Sequence, residues 1–333
     1  MLVLPSSASA TTRAARSGLP GAYSRTGSLT GTGTWVTASM VCGLLGVASV
    51  AIAGLGAPMV SRMPNTLDGA DLTFRWAGSS DPEAPTLVLL HGLGDSGDCW
   101  PDAVRRWSPD YRVVGVDLLG HGRSPRFTPS ELASPDPLEV MYAAAEATVA
   151  RLTTSPRGVV LVAHSMGGGV ATALAARRPD LVRAAVLEEP AWRDPHLRVQ
   201  ADDVIAERIA DCRRFAEDPS GALADGRQDN PGWPDSEFAP WAQAKTLVDE
   251  AFLGIGVASF AHPWEELVSA LRVPTLVVIG ARSTLLGDTV RARAQRLANP
   301  CLEIHTVEAG HCVRRDVPDT YHALVDPWLA NHA

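Results

Sequence analysis

The sequence predicts an α/β fold built on a mostly parallel, doubly wound sheet, and three observations carry that prediction. Seven short apolar runs, at 71–76, 86–90, 112–116, 159–163, 184–188, 274–279 and 302–307, are spaced by helix-patterned stretches, and such alternation favours a parallel sheet with helices on both faces. The run at 86–90 is T-L-V-L-L, continuously apolar as expected of a strand covered on both sides. The fourth run leads straight into a Ser among small residues, V-L-V-A-H-S-M-G-G-G from Val160 to Gly169.

The helical stretches follow in order. Residues 138–152 form an Ala-rich helix, and residues 168–178 form a helix that Pro179 stops. Between 191 and 272 no strand pattern appears, only helical segments such as 199–216 and 237–252 separated by Pro- and Gly-rich turns. A structureless connection of that length is improbable in a compact domain, so the segment reads as a helical cap over the sheet. Residues 63–190 and 273–333 then make the core, with the cap inserted after the sixth strand.

Val160–Gly169 reads as a nucleophile elbow. A sharp strand-to-helix turn exposes the hydroxyl of Ser165, and the positions two before and two after it must be small for strand and helix to pass closely. Ala163 and Gly167 are small. Upstream, the second strand ends in His91-Gly92-Leu93-Gly94-Asp95; downstream, the last strand is followed by Glu308-Ala309-Gly310-His311. Between them stands Asp117-Leu118-Leu119-Gly120-His121-Gly122-Arg123-Ser124.

With these four motifs in order (HG-x-G, D-x-x-G-x-G-x-S, H-S-M-G-G and A-G-H), the chain resembles the α/β-hydrolase family over roughly residues 64–331. The resemblance implies a serine hydrolase. Ser165 is the expected nucleophile and His311 the base that takes its proton. The backbone N–H groups of Leu93 and Met166 are the expected oxyanion hole. The other eight His residues have structural or surface readings; in the family, the residue at His164 points away from the nucleophile.

The acid is out of place. The family usually carries an Asp in a G-x-x-D turn after the seventh strand, and Gly280-Ala281-Arg282-Ser283 has Ser there. Glu188, at the end of the strand before the cap, is the first candidate, as in relatives such as haloalkane dehalogenases. Asp288, five residues beyond Ser283, is the alternative, and Glu189 is third. Ser at the elbow argues against dehalogenase or epoxide hydrolase chemistry, which uses Asp there. The expected reaction is hydrolysis of a small to medium, largely apolar ester, thioester, lactone or related carbonyl compound through an acyl-enzyme. It requires no metal or other cofactor. A C–C bond hydrolase, a cofactor-free perhydrolase and a non-catalytic ligand receptor on the same fold are the alternatives. Among the cap aromatics, Trp192 and Trp241 are the candidates to line an apolar pocket over Ser165.

Composition narrows the partners. The chain of 333 residues carries a net charge of −8, and its first 67 residues hold four Arg and no acid, so the rest carries −12. Such a body does not seek nucleic acid, and the expected partner is a small-molecule substrate. Five cysteines without metal-type spacing predict neither a disulfide framework nor a zinc site. Reduced thiols fit a cytoplasmic location. Residues 1–62 are a low-complexity extension with an apolar segment at 35–57. For that segment a membrane anchor, a secretory signal and a non-structural extension are the three readings, and membrane association is expected only through it.

Overall fold

In the computed structural model residues 71–333 are described, and they form a seven-stranded sheet in the order β1-β3-β2-β4-β5-β6-β7. The strands are β1 (Phe74–Gly78), β2 (Thr86–Leu90), β3 (Arg112–Val116), β4 (Val159–His164), β5 (Val182–Glu188), β6 (Thr275–Gly280) and β7 (Leu302–Val307). Only β1 runs antiparallel, beside β3; every other pairing is parallel. The expectations for residues 1–62, including the apolar segment at 35–57, lie outside the described residues. Among the described residues no helix is long and apolar enough to cross a membrane.

Two layers of helices cover the sheet because alternate strand residues face opposite sides. Along β4, Leu161 and Ala163 join one core with Met141, Val170 and Leu174, while Val160 and Val162 join the other with Trp100, Tyr321 and Val325. The first layer comes from α3 (Pro137–Leu152) and α4 (Ser165–Arg177), after the short α2 (Pro129–Leu132). The second comes from α1 (Pro101–Trp107) and the C-terminal α12 (Pro318–His332), which the single turn α11 (Val313–Asp316) precedes. Helix α10 (Asp288–Arg296) connects β6 to β7.

The connection between β5 and β6 holds α5 (Asp202–Glu217), α6 (Pro219–Asp229), α7 (Asp235–Lys245), α8 (Glu250–Gly254) and α9 (Trp264–Ala270). It follows the fifth described strand rather than the sixth. The helix expected at 237–252 is two helices, broken where the Asp249 side chain caps α8 by accepting from the N–H of Ala251.

The C-terminal ends of the parallel strands deliver the chemistry-bearing loops to one edge of the sheet, where α/β folds place their ligands. The D-x-x-G-x-G-x-S and HG-x-G motifs bind that edge together. Asp117 accepts from the N–H groups of Gly97 and Arg123, at 2.8 and 2.9 Å, and the Ser124 hydroxyl donates to the Asp117 carbonyl. His91 Nε2 accepts from the N–H of Leu118 at 3.0 Å, so the ring proton sits on Nδ1, which donates to Gly92 O. Burial holds His91 below its ordinary pKa, consistent with a neutral strut.

Candidate active site

Strand β4 ends at His164 and α4 begins at Ser165, which has φ +53°. A left-handed conformation at a non-glycine residue costs energy and clusters at functional sites. The turn is tight enough that Gly167 has no alternative: a Cβ there would lie 2.5 Å from the carbonyl oxygens of both Leu90 and His91. Ser165 thereby lines a cavity of about 500 Å³.

His311 reaches Ser165 from the loop after β7, with Nε2 3.0 Å from Oγ. Its Nδ1 lies 3.3 Å from Oε2 of Glu189. A carboxylate beside Nδ1 keeps the proton there and leaves Nε2 free to accept from the serine hydroxyl. Glu189 is fully buried, with φ +46°. It accepts from the N–H of Gly280 at 2.7 Å and from the hydroxyl of Ser283.

The acid expected at Glu188 is therefore corrected. Glu188 is not brought to His311; its carboxylate accepts from the N–H and guanidinium of Arg314, both at 2.8 Å, in a fully buried pair. Burial pushes the Glu188 carboxyl up, against the pull of Arg314. Adjacent strand residues face opposite sides, and the left-handed turn after β5 sends Glu189 towards the loop. Asp288 is not brought in either: it opens α10, almost fully exposed, paired with Arg291.

The N–H groups expected to form the oxyanion hole are those of Leu93 and Met166. Met166 lies in the first turn of α4, where backbone donors lack partners within the helix, and Leu93 lines the same cavity as Ser165. Among the described residues neither N–H donates to another protein group. The Leu93 loop is anchored through the next two residues: Lys245 Nζ donates to Gly94 O at 3.0 Å and lies 3.7 Å from Asp95. Asp95 is also paired with Arg315 at 3.0 Å. Burial alone would raise the Asp95 carboxyl, but Arg315, Lys245 and Arg314 hold it well below the usual range.

One positioning contact had no signal in the motifs. His164 Nε2 lies 3.1 Å from the backbone carbonyl of His311, and the two rings stand 4.7 Å apart. Burial first, and then the neighbouring His311, hold His164 well below its ordinary pKa. It remains a neutral donor that fixes the His311 backbone.

The model of the alpha/beta hydrolase fold matches residues 85–313. The chain belongs to that family. This α/β hydrolase is 30% identical over 256 residues to Lipase LipV of Mycobacterium tuberculosis, covering 73% of this chain and 93% of the relative. It is 28% identical over 298 residues to Esterase Rv0045c of the same organism, covering 80% and 88%. Among solved structures, a hydrolase from Pseudomonas aeruginosa PA01 superposes with a TM-score of 0.61 at 21% identity, covering 82% of this chain and 99% of that one; at that identity the likeness is one of fold.

The pocket of this α/β hydrolase departs from the expected apolar lining. Trp241 does line the cavity, with Leu93, Trp233 and Leu285. Trp192 does not: it is 2% exposed, stacked on Trp264 at 5.2 Å, with Nε1 donating to Thr172. Its β5-proximal position puts it under α9 rather than over Ser165. Beside the apolar groups the cavity is lined by Arg193, Arg208, Lys245, Arg282 and Arg315. Burial pushes the thiols of Cys99 and Cys312 up to about 12, which disfavours the thiolate form that a reactive cysteine needs. Among the described residues no three His, Cys, Asp or Glu side chains cluster as a metal site.

Proposed function

We propose that this α/β hydrolase is a serine hydrolase that cleaves small to medium esters, thioesters, lactones or related carbonyl compounds through an acyl-enzyme on Ser165. The observation that carries the reading is the unbroken line from Ser165 Oγ through the His311 ring to Glu189. In that line His311 Nε2 takes the hydroxyl proton as Oγ attacks the carbonyl carbon, and returns it to the leaving group as the tetrahedral intermediate collapses. Glu189 holds Nδ1–H and stabilises the imidazolium. The free N–H groups of Leu93 and Met166 receive the developing oxyanion; losing one such donor typically costs about 10²- to 10³-fold in rate. Water then repeats the sequence on the acyl-enzyme.

A receptor reading draws its force from a missing acid, and Glu189 beside His311 removes that premise. The test is covalent labelling: a fluorophosphonate probe is expected to modify Ser165 in the native protein, located by peptide mass, and to leave His311→Gln protein unmodified. Absence of label on Ser165 overturns the proposal.

A further inference from the structure

The cavity above Ser165 is cationic in a chain that is acidic overall. Of its charged lining, five side chains are positive and one, Asp95, is negative. Three of the five are committed elsewhere. Arg315 pairs with Asp95 and Glu237, Lys245 holds Gly94 and Asp95, and Arg282 sits at the rim on Glu308.

Arg193 and Arg208 are different. Arg193, just after β5, donates Nε to the carbonyl of Leu197, and its two terminal nitrogens have no partner among the described residues. Arg208, on the cavity side of α5, has no hydrogen bond or ion pair among the described residues, and its Nε is buried. Burial holds its guanidinium below the ordinary range, and the like charge of Arg193 acts in the same direction. Asp211 and Glu207 on its own helix act the other way without forming an ion pair. A buried donor without an acceptor carries a desolvation cost, and two like charges facing one space add to it. An anion seated between them relieves both. Cations without an ion-pair partner among the described residues, gathered in the cleft that holds the nucleophile, are also what raises the local concentration of an anionic ligand.

We propose that the substrate carries a carboxylate or comparable anionic oxygen group, bound between Arg193 and Arg208 beside Ser165. This rests on the serine hydrolase reading above and narrows its substrate class. Trp241 and Leu93 remain to hold the uncharged part of the molecule.

The test uses matched chromogenic esters that differ by one charge. Nitrophenyl hexanoate and mono-nitrophenyl adipate place the charge on the acyl chain; nitrophenyl butyrate and carboxynitrophenyl butyrate place it on the leaving group. In at least one pair kcat/KM is expected to favour the anionic member about tenfold, in keeping with a charge-assisted hydrogen bond. That ratio is expected to fall below about twofold in Arg208→Gln or Arg193→Gln, to be partly kept in Arg208→Lys, and to shrink in about 0.5 M NaCl. Equal values within both pairs, or a preference that survives both Gln substitutions, overturns the anion site while leaving the hydrolase reading intact. Failure of that reading looks different: no ester is cleaved and Ser165 takes no label. Calorimetry with the same esters and Ser165→Ala protein then decides the anion site by itself. Tighter binding of an anionic member that Arg208→Gln abolishes supports it, and equal binding overturns it.

Discussion

Glu188 and Glu189 are consecutive in the chain, yet their buried carboxylates serve opposite partners, Arg314 for the first and His311 for the second. The two residues therefore predict two distinct failures. Glu189→Gln is expected to lower turnover by about three to four orders of magnitude, as amide replacement of a triad acid favours the wrong His tautomer, with the fold retained. Glu188→Gln is expected to act on stability, because it leaves Arg314 buried beside an uncharged partner; breaking such a pair costs about 3–5 kcal/mol. Esterase rates and denaturant midpoints measured on both variants separate the cases. A large rate loss with normal stability in Glu188→Gln would reverse the assignment.

Ser165→Ala is expected to keep the fold and remove nearly all activity, by up to about 10⁶-fold if the triad acts as a unit. Steady-state hydrolysis of nitrophenyl esters checks it. More than a tenth of wild-type activity would assign the reaction to another group.

Gly167→Ala is expected to disrupt the elbow rather than merely weaken it. The added methyl would lie 2.5 Å from two backbone carbonyl oxygens, from Leu90 and His91, and backbone has little freedom to give. Loss of soluble folded protein, or a thermal midpoint lowered by several degrees together with lost probe labelling, is the expected result. A variant with wild-type melting and labelling would contradict the geometry.

Asp95 links stability to pH. Its carboxyl is held below the usual range by Arg315, Lys245 and Arg314 against the opposing effect of burial. A depressed acid stabilises the fold fully above the ordinary aspartate range near 4 and loses that contribution as pH falls through the lower folded value. Asp95→Asn is therefore expected to be less stable than wild type at neutral pH, with the gap closing below about pH 4. Urea unfolding at three pH values measures it; a gap that widens on acidification refutes the account.

The strand pattern, the elbow and the two flanking loops were legible because each depends on local chemistry. Apolar runs mark buried strands, and small residues around Ser165 mark a tight turn. The acid was not legible, because choosing between Glu188 and Glu189 needs the face on which β5 presents each side chain and the left-handed turn after it. Trp192 failed for a related reason. An aromatic residue at the edge of the connection satisfies equally a pocket wall and a core stack, and only the partner, Trp264, decides. His164 was read as turned away from the nucleophile; its hold on the His311 carbonyl joins residues 147 positions apart and leaves no trace in either motif. Arg208 and Arg193 carried no motif at all, since their meaning lies in the acceptors they lack.

The contact between Ser283 and Glu189 has a consequence for how this site can change over time. Ser283 stands where the family usually carries its Asp, and its hydroxyl touches the very carboxylate that occupies the acid's place. The ends of β5 and β6 thus converge on a single point in space, and His311 requires only that a negative charge be there. A carboxylate placed at Ser283 would meet Glu189 at that point, and two acids sharing one buried site cannot both ionise, so the site holds a single charge from one strand end or the other.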